Sequence, residues 1–254
     1  VSEAGALRTS LDGGVFTLTL DRPDKRNALD AALIEALHAA LDRADLDGEV
    51  RVVVLRGAGK DFCAGADLGE LLASADRTLA ENERAARRLG EVFERLRALP
   101  KPVVAVVQGR AFAGGAGLAT ASDVTIAGAG AQLGFPEIQR GFVPAMVMAI
   151  LRRLAGEKVA LDLVLTGRAL SSAEALAAGL LSRVVPDADL DRVADDVARR
   201  FAGTGATALA LTKRLFYQLD GPSFSEGIAL GARVNALARQ TPDFRAAIAE
   251  FLRG

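Results

Sequence analysis

Two short stretches rich in glycine and alanine carry the groups best suited to catalysis: Phe62-Cys63-Ala64-Gly65-Ala66-Asp67-Leu68 and Ala113-Gly114-Gly115-Ala116-Gly117-Leu118. Each lies between a run of β-branched residues and a helical pattern. A helix start carries backbone N–H groups without intrahelical acceptors and a partial positive charge, so each stretch should offer donors to an anion. Two such loops facing each other would form an oxyanion hole, able to stabilise an enolate while a placed base moves the neighbouring proton.

Nucleotide readings of these loops fail on spacing. Gly109 and Gly114 have the gap of a P-loop, but Gly115 and Ala116 stand where Lys and Ser or Thr must reach phosphate and magnesium. A dinucleotide fingerprint beginning at Gly115 needs a third glycine at position 120, which is Thr120. The single histidine, His38, excludes a histidine-dependent triad and a three-histidine metal site, and no metal is expected. His38 is read as a helix-edge residue, Cys63 as a small buried filler, Tyr217 as packing, and Lys213 with Arg214 as solvated charges.

The strands and helices that hold the loops in place are visible in apolar periodicity. Val15 to Leu20, Val52 to Leu55, Val103 to Val107 and Val124 to Ala127 read as buried strands. Asp30 to Asp42, with Leu33, Leu37 and Leu41 four apart, and Thr78 to Leu99, with Leu89, Phe93 and Leu96 on one face, read as amphipathic helices. The acidic residues interleaved with the arginines between Arg84 and Arg97 mark an exposed, salt-bridged face. Pro100 and Pro102 end the second helix. From Asp187 onward the pattern is helical: Leu190 to Phe201, Ala206 to Leu219, Phe224 to Arg239 and Thr241 to Leu252. An α/β core over residues 1–186 and a helical section over 187–254 are expected.

The 254 residues are half apolar, enough for a sizeable core. With 31 basic and 32 acidic residues the net charge is −1, which gives no general attraction to nucleic acid or anionic membrane. The lone cysteine excludes an intrachain disulfide and fits a reducing, cytoplasmic setting. No secretory signal or bilayer-spanning stretch is visible. A small-molecule ligand is expected.

The motifs together resemble the crotonase, or enoyl-CoA hydratase/isomerase, superfamily. Arg26-Asn27-Ala28-Leu29 is similar to its first substrate loop, and Phe62 to Leu68 to its first oxyanion loop. Gly109 to Asp123 resembles its second oxyanion loop, Gly134 to Pro144 its acid-bearing segment, and Leu165 to Arg168 with Ala175 to Val185 the stretch after that segment. The resemblance implies a repeated ββα spiral core with a C-terminal helical section for trimerisation, as a trimer or a hexamer. It also implies acyl-CoA thioester chemistry, with coenzyme A entering as part of the substrate and no other cofactor. It places the oxyanion-binding amides on Ala64 and Gly114, the catalytic base at Glu137, and the substrate and coenzyme A path along Arg26, Ala28, Ala66, Asp67, Leu68 and Gly117. For Asp67, a helix N-terminal charge is an equal reading. A base in an apolar pocket built by Phe135, Phe142 and Met146 should have a raised pKa.

The chain departs from the hydratase pattern at one position. Hydratases of this superfamily hold water between two glutamates, the first three residues beyond the glycine of the second oxyanion loop, and that place is Gly117 here. A lone carboxylate suffices to move a double bond, taking a proton from C2 and returning it at C4. The resemblance therefore implies isomerisation of an enoyl-CoA, with hydration of a 2-enoyl-CoA as the alternative and a non-catalytic acyl-CoA or RNA-binding paralogue as a third reading.

Overall fold

The structure, a computed structural model, describes residues 6–253. Its strands are β1 (Leu7–Asp12), β2 (Val15–Leu20), β3 (Val52–Gly57), β4 (Val103–Val107), β5 (Arg110–Phe112), β6 (Val124–Gly128), β7 (Gln132–Gly134), β8 (Ala169–Ser171) and β9 (Arg183–Val185). The helices are α1 (Ala31–Leu46), α2 (Leu68–Ala73), α3 (Leu79–Ala98), α4 (Gly114–Ala121), α5 (Ala145–Leu154), α6 (Glu157–Thr166), α7 (Ser172–Ala177), α8 (Leu190–Gly203), α9 (Ala206–Gln218), α10 (Phe224–Ala238) and α11 (Pro242–Phe251).

Six strands form one sheet in the order β1-β2-β3-β4-β6-β9, and β5-β7-β8 form a second, smaller one. The β1–β2 hairpin is antiparallel, and every later pairing in the large sheet is parallel. Parallel strands need both faces covered, which is why these segments read as unbroken apolar runs. Side chains alternate between the faces. Val53, Leu55, Val103, Ala105 and Val107 join α1 and α3 in the main core, while Val52, Val54, Val104, Val106 and Ile126 meet Leu190, Ala194 and Val197 of α8.

Capping fixes where the two long amphipathic helices begin. The Asp30 side chain accepts the Leu33 N–H at 2.8 Å, and Thr78 with Glu81 forms a capping box ahead of α3. Leu33, Leu37 and Leu41 of α1 and Val92, Phe93 and Leu96 of α3 are buried. Arg88 of α3 pairs with Glu91 as the charge pattern predicted, and also with Glu35 of α1. His38 departs from its expected edge position: it is buried, its Nε2 sits 2.9 Å from the Arg88 carbonyl and its Nδ1 3.1 Å from Arg95. Since an arginine can only donate, Nδ1 accepts and Nε2–H donates.

Lys213 is also not a solvated charge. It is buried, donates to the carbonyls of Leu96 and Lys101, and pairs with Asp123 at 2.7 Å. The Tyr217 hydroxyl donates to the other oxygen of Asp123 at 2.8 Å, and Arg97 lies over the Tyr217 ring. Burial pushes Asp123 up and Lys213 down in pKa, each opposed by the partner's charge. These contacts fasten α9 to the core, whereas α10 and α11 bury none of their residues and expose Phe224, Ile228, Ile248 and Phe251.

Candidate active site

Both glycine loops open at the carboxyl side of parallel strands, the region where α/β sheets commonly bind ligands. The first runs from β3 into α2 and is gripped by Asn27. This fully buried side chain donates through Nδ2 to the carbonyls of Ala58 and Asp61 at 2.9 and 2.8 Å, from a segment in which Arg26 and Asn27 both have positive φ. Arg22 donates to the Ala28 carbonyl and pairs with both Asp30 and Asp67 at 3.0 Å. Asp67 also accepts the Gly69 N–H at 3.0 Å, capping α2, and Arg22 holds its carboxyl below the usual carboxylate range.

The peptide groups decide which amides are available. The Ala64 N–H donates to the Arg26 carbonyl at 3.0 Å, so it is already engaged and does not fit the anion-binding role expected of it. The Gly65 carbonyl accepts the Leu29 N–H at 2.8 Å. Because C=O and N–H point oppositely across a trans peptide, the Ala66 N–H turns away from Leu29, and among the described residues it meets no acceptor. On the second loop the Ala113 carbonyl accepts from Gly117 N at 2.9 Å, which turns the Gly114 N–H out beyond the start of α4, likewise without an acceptor there. Ala113 reaches this geometry at φ 52° and ψ −123°, an uncommon conformation for a residue with a Cβ.

The loops lie side by side. Cys63 donates to the Arg110 carbonyl and accepts from Phe112 N at 2.9 Å, and a Cβ on Gly115 would collide with the Cys63 carbonyl. Cys63 is fully buried, and burial pushes its thiol up to about 12, which suits packing and not nucleophilic attack.

A cavity of about 510 Å³ opens over the loops, lined by Ala64, Ala66 and Gly114 together with Arg26, Ala28, Asp67, Leu68 and Glu137. Leu89 and Phe93 from α3, with Met146 and Val147 from α5, give it an apolar wall, and Lys25, Arg110 and Arg140 add positive charge. Met146 was expected there; the α3 part of the wall was not, because Phe93 shares the helix face of the core residues and periodicity alone does not separate core from cavity.

Glu137 sits on a 3-10 turn, Pro136–Arg140, directly after β7. Its Oε2 is buried with no hydrogen-bond partner among the described residues, and burial raises its pKa against smaller opposing effects of a backbone N–H and of Arg140. Phe142 and Met146 line the same cavity as expected, while Phe135 is fully buried and does not line it.

Gly117 does not line the cavity, contrary to expectation. A Cβ there would lie 2.5 Å from Phe93 Cζ and 2.9 Å from Val147 Cγ1. The space beside Gly117 is filled by hydrocarbon. Among the described residues no group of three potential metal-ligating side chains forms a metal site, and no helix is long and apolar enough to cross a membrane.

Among solved structures, the enoyl-CoA hydratase of Mycobacterium smegmatis has the same architecture at TM-score 0.94 and 31% identity, over 98% of this chain and 97% of that one. The fold is thus of the crotonase type, as the motifs implied. The chain is 42% identical to a putative enoyl-CoA hydratase of Thermus thermophilus over 239 residues, 94% of each chain. It is 35% identical to the 2,3-dehydroadipyl-CoA hydratase of Escherichia coli, over 94% of this chain and 92% of that one. The enoyl-CoA hydratase/isomerase family matches residues 10–253, and the chain belongs to that family.

Proposed function

We propose that this enzyme moves the double bond of an enoyl-CoA thioester with Glu137 as the only proton carrier. The carrying observation is Glu137, with a buried Oε2 that has no partner among the described residues, on the lining of a cavity where no second free carboxylate stands among those residues. Asp67, the other acid on that wall, is tied to Arg22 and to the start of α2. The thioester oxygen accepts from the amides of Ala66 and Gly114, each worth about 3 kcal/mol to an enolate-like transition state. Glu137 takes the C2 proton of a 3-enoyl-CoA, the electron pair spreads into a dienolate held by those amides, and the same proton returns at C4. Arg26, Ala28 and Leu68 line the coenzyme A path, with Lys25 and Arg140 as candidate contacts for its phosphates.

Water addition to a 2-enoyl-CoA is the second reading, favoured by the hydratase names of the relatives in Thermus thermophilus and Escherichia coli. Incubating the enzyme and Glu137→Gln with a 3-enoyl-CoA and a 2-enoyl-CoA separates the two. Bond migration lost in the variant supports isomerisation, water addition lost in the variant supports hydration, and binding without turnover on either substrate defeats both. We further propose that the exposed apolar face of α10 and α11 is covered by self-association into a trimer or hexamer, which the mass in solution tests.

A further inference from the structure

A second cavity of about 360 Å³ lies behind the apolar wall of the active-site cavity, and Phe93 and Met146 line both. Its lining adds Ala149 and Ile150 together with the charged Glu94, Arg97, Arg153 and Asp220, and Asp220 is joined to both arginines. Helix α4 packs against both α3, which supplies Phe93, and α5, which supplies Met146. The approach is possible because Gly117 offers no side chain between them: the Phe93 ring and Val147 occupy the space a Cβ at 117 would need.

We propose that Phe93, with Met146, is the specificity-determining partition that sets how long an acyl chain this enzyme accepts, the second cavity being the space a longer chain enters when the partition opens. The proposal rests on the acyl-CoA reading of the site. Its ground is the chemistry of the walls: the unpaired amides and Glu137 fix where the thioester and its first carbons sit, and the apolar wall of α3 and α5 is the surface offered to hydrocarbon. A chain that reaches Phe93 can go no further unless the ring moves. Beyond the ring, Ile150 and Ala149 offer further hydrocarbon, and each methylene that becomes buried against them gains about fourfold in affinity.

The test is calorimetric binding of a series of saturated acyl-CoA thioesters of increasing chain length to the full protein, a measurement independent of which reaction is catalysed. In the wild type, affinity should rise with length and then level off. In Phe93→Ala it should continue to rise, about fourfold per further methylene, while the short-chain members bind within about threefold of wild type. Met146→Ala opens the same partition from α5 and keeps the test valid if Phe93→Ala does not fold. Adding Ala149→Phe, which puts an aromatic ring on the lining of the second cavity and off that of the first, should restore the early plateau. An unchanged length profile in folded opening variants, or a gain that persists with Ala149→Phe, overturns the proposal. Failure of acyl-CoA of every length to bind the wild type instead overturns the functional reading beneath it.

Discussion

Phe93 and Gly117 meet across the α3–α4 contact so closely that a Cβ on the glycine would lie 2.5 Å from Phe93 Cζ. The resemblance implies a carboxylate at this position in two-acid hydratases; in this chain the place beside Gly117 is taken by an aromatic ring from α3. The ring leaves no room for a side chain at 117, so the packing of α3 keeps this position apolar, in line with the proposed single-base chemistry.

Gly117→Glu should therefore destabilise the protein and not create a second catalytic acid. Forcing a side chain against Phe93 and Val147 is overpacking, worth about 1–3 kcal/mol, and it places a carboxylate among hydrocarbon. Chemical denaturation should show that loss, and Gly117→Glu with Phe93→Ala should recover part of it. A Gly117→Glu variant as stable as wild type would mean that the ring moves aside freely.

Glu137 should cost stability at neutral pH. Its folded pKa is raised by burial, so between the ordinary value of 4.5 and the raised one the native state holds the proton more tightly than the unfolded chain. Stability falls as pH rises through that window and remains lower above it. Glu137→Gln removes the penalty, so its melting temperature should exceed that of wild type at pH 7, with the gain vanishing below about pH 4. The same shift sets the acidic limb of the kcat/KM profile above the ordinary carboxylate range, because the base must be ionised to act. Equal melting curves at pH 7 would show that the carboxylate is not penalised by burial.

Lys213→Ala should be among the costlier substitutions in the chain. It strands Asp123, which lies mostly out of solvent just before β6, and breaking such a pair costs about 3–5 kcal/mol. Replacing both partners, as Lys213→Met with Asp123→Asn, should recover much of that loss, since two unpaired charges are then absent. Urea midpoints of the three variants check this. A double variant as unstable as Lys213→Ala would show that the hydrogen bonds of Lys213 to Leu96 and Lys101, and not the ion pair, carry the stability.

Ala113→Gly should stabilise the enzyme. The residue adopts φ 52° and ψ −123°, where an alanine Cβ costs of order 1–3 kcal/mol, and glycine relieves this at a smaller entropic cost in the unfolded chain. A net gain of roughly 0.5–2 kcal/mol is expected in denaturant titration, with the Gly114 amide still aimed outward by the Ala113–Gly117 hydrogen bond. A loss of stability would mean that the alanine methyl makes packing contacts outweighing the strain.

Much of the frame was legible in the residues themselves. Val15 to Leu20, Val103 to Val107, the α1 and α3 stripes and the four C-terminal helices appear where their patterns placed them. The three-residue strands β5, β7, β8 and β9 did not, because segments that short hold no periodicity and owe their pairing to neighbours in the fold.

Residue types at short spacing were enough for the family and the two helix-start loops, and they singled out Glu137, which the fold sets on the cavity lining: small residues for close backbone approach, and an acid after a Phe-Pro turn. Which amide was left unpaired depended on the folded chain. The Ala64 N–H is spent on Arg26, and the Ala66 N–H is turned outward because the Gly65 carbonyl is taken by Leu29. Folding likewise buried His38 and Lys213, set Gly117 behind Phe93 and Val147, and made Phe93 the divider of two cavities. One cause underlies all of these. A local pattern reports which face of an element avoids water, whereas a hydrogen-bond acceptor, a counter-ion or a van der Waals neighbour comes from a distant part of the chain and exists only once the chain has folded.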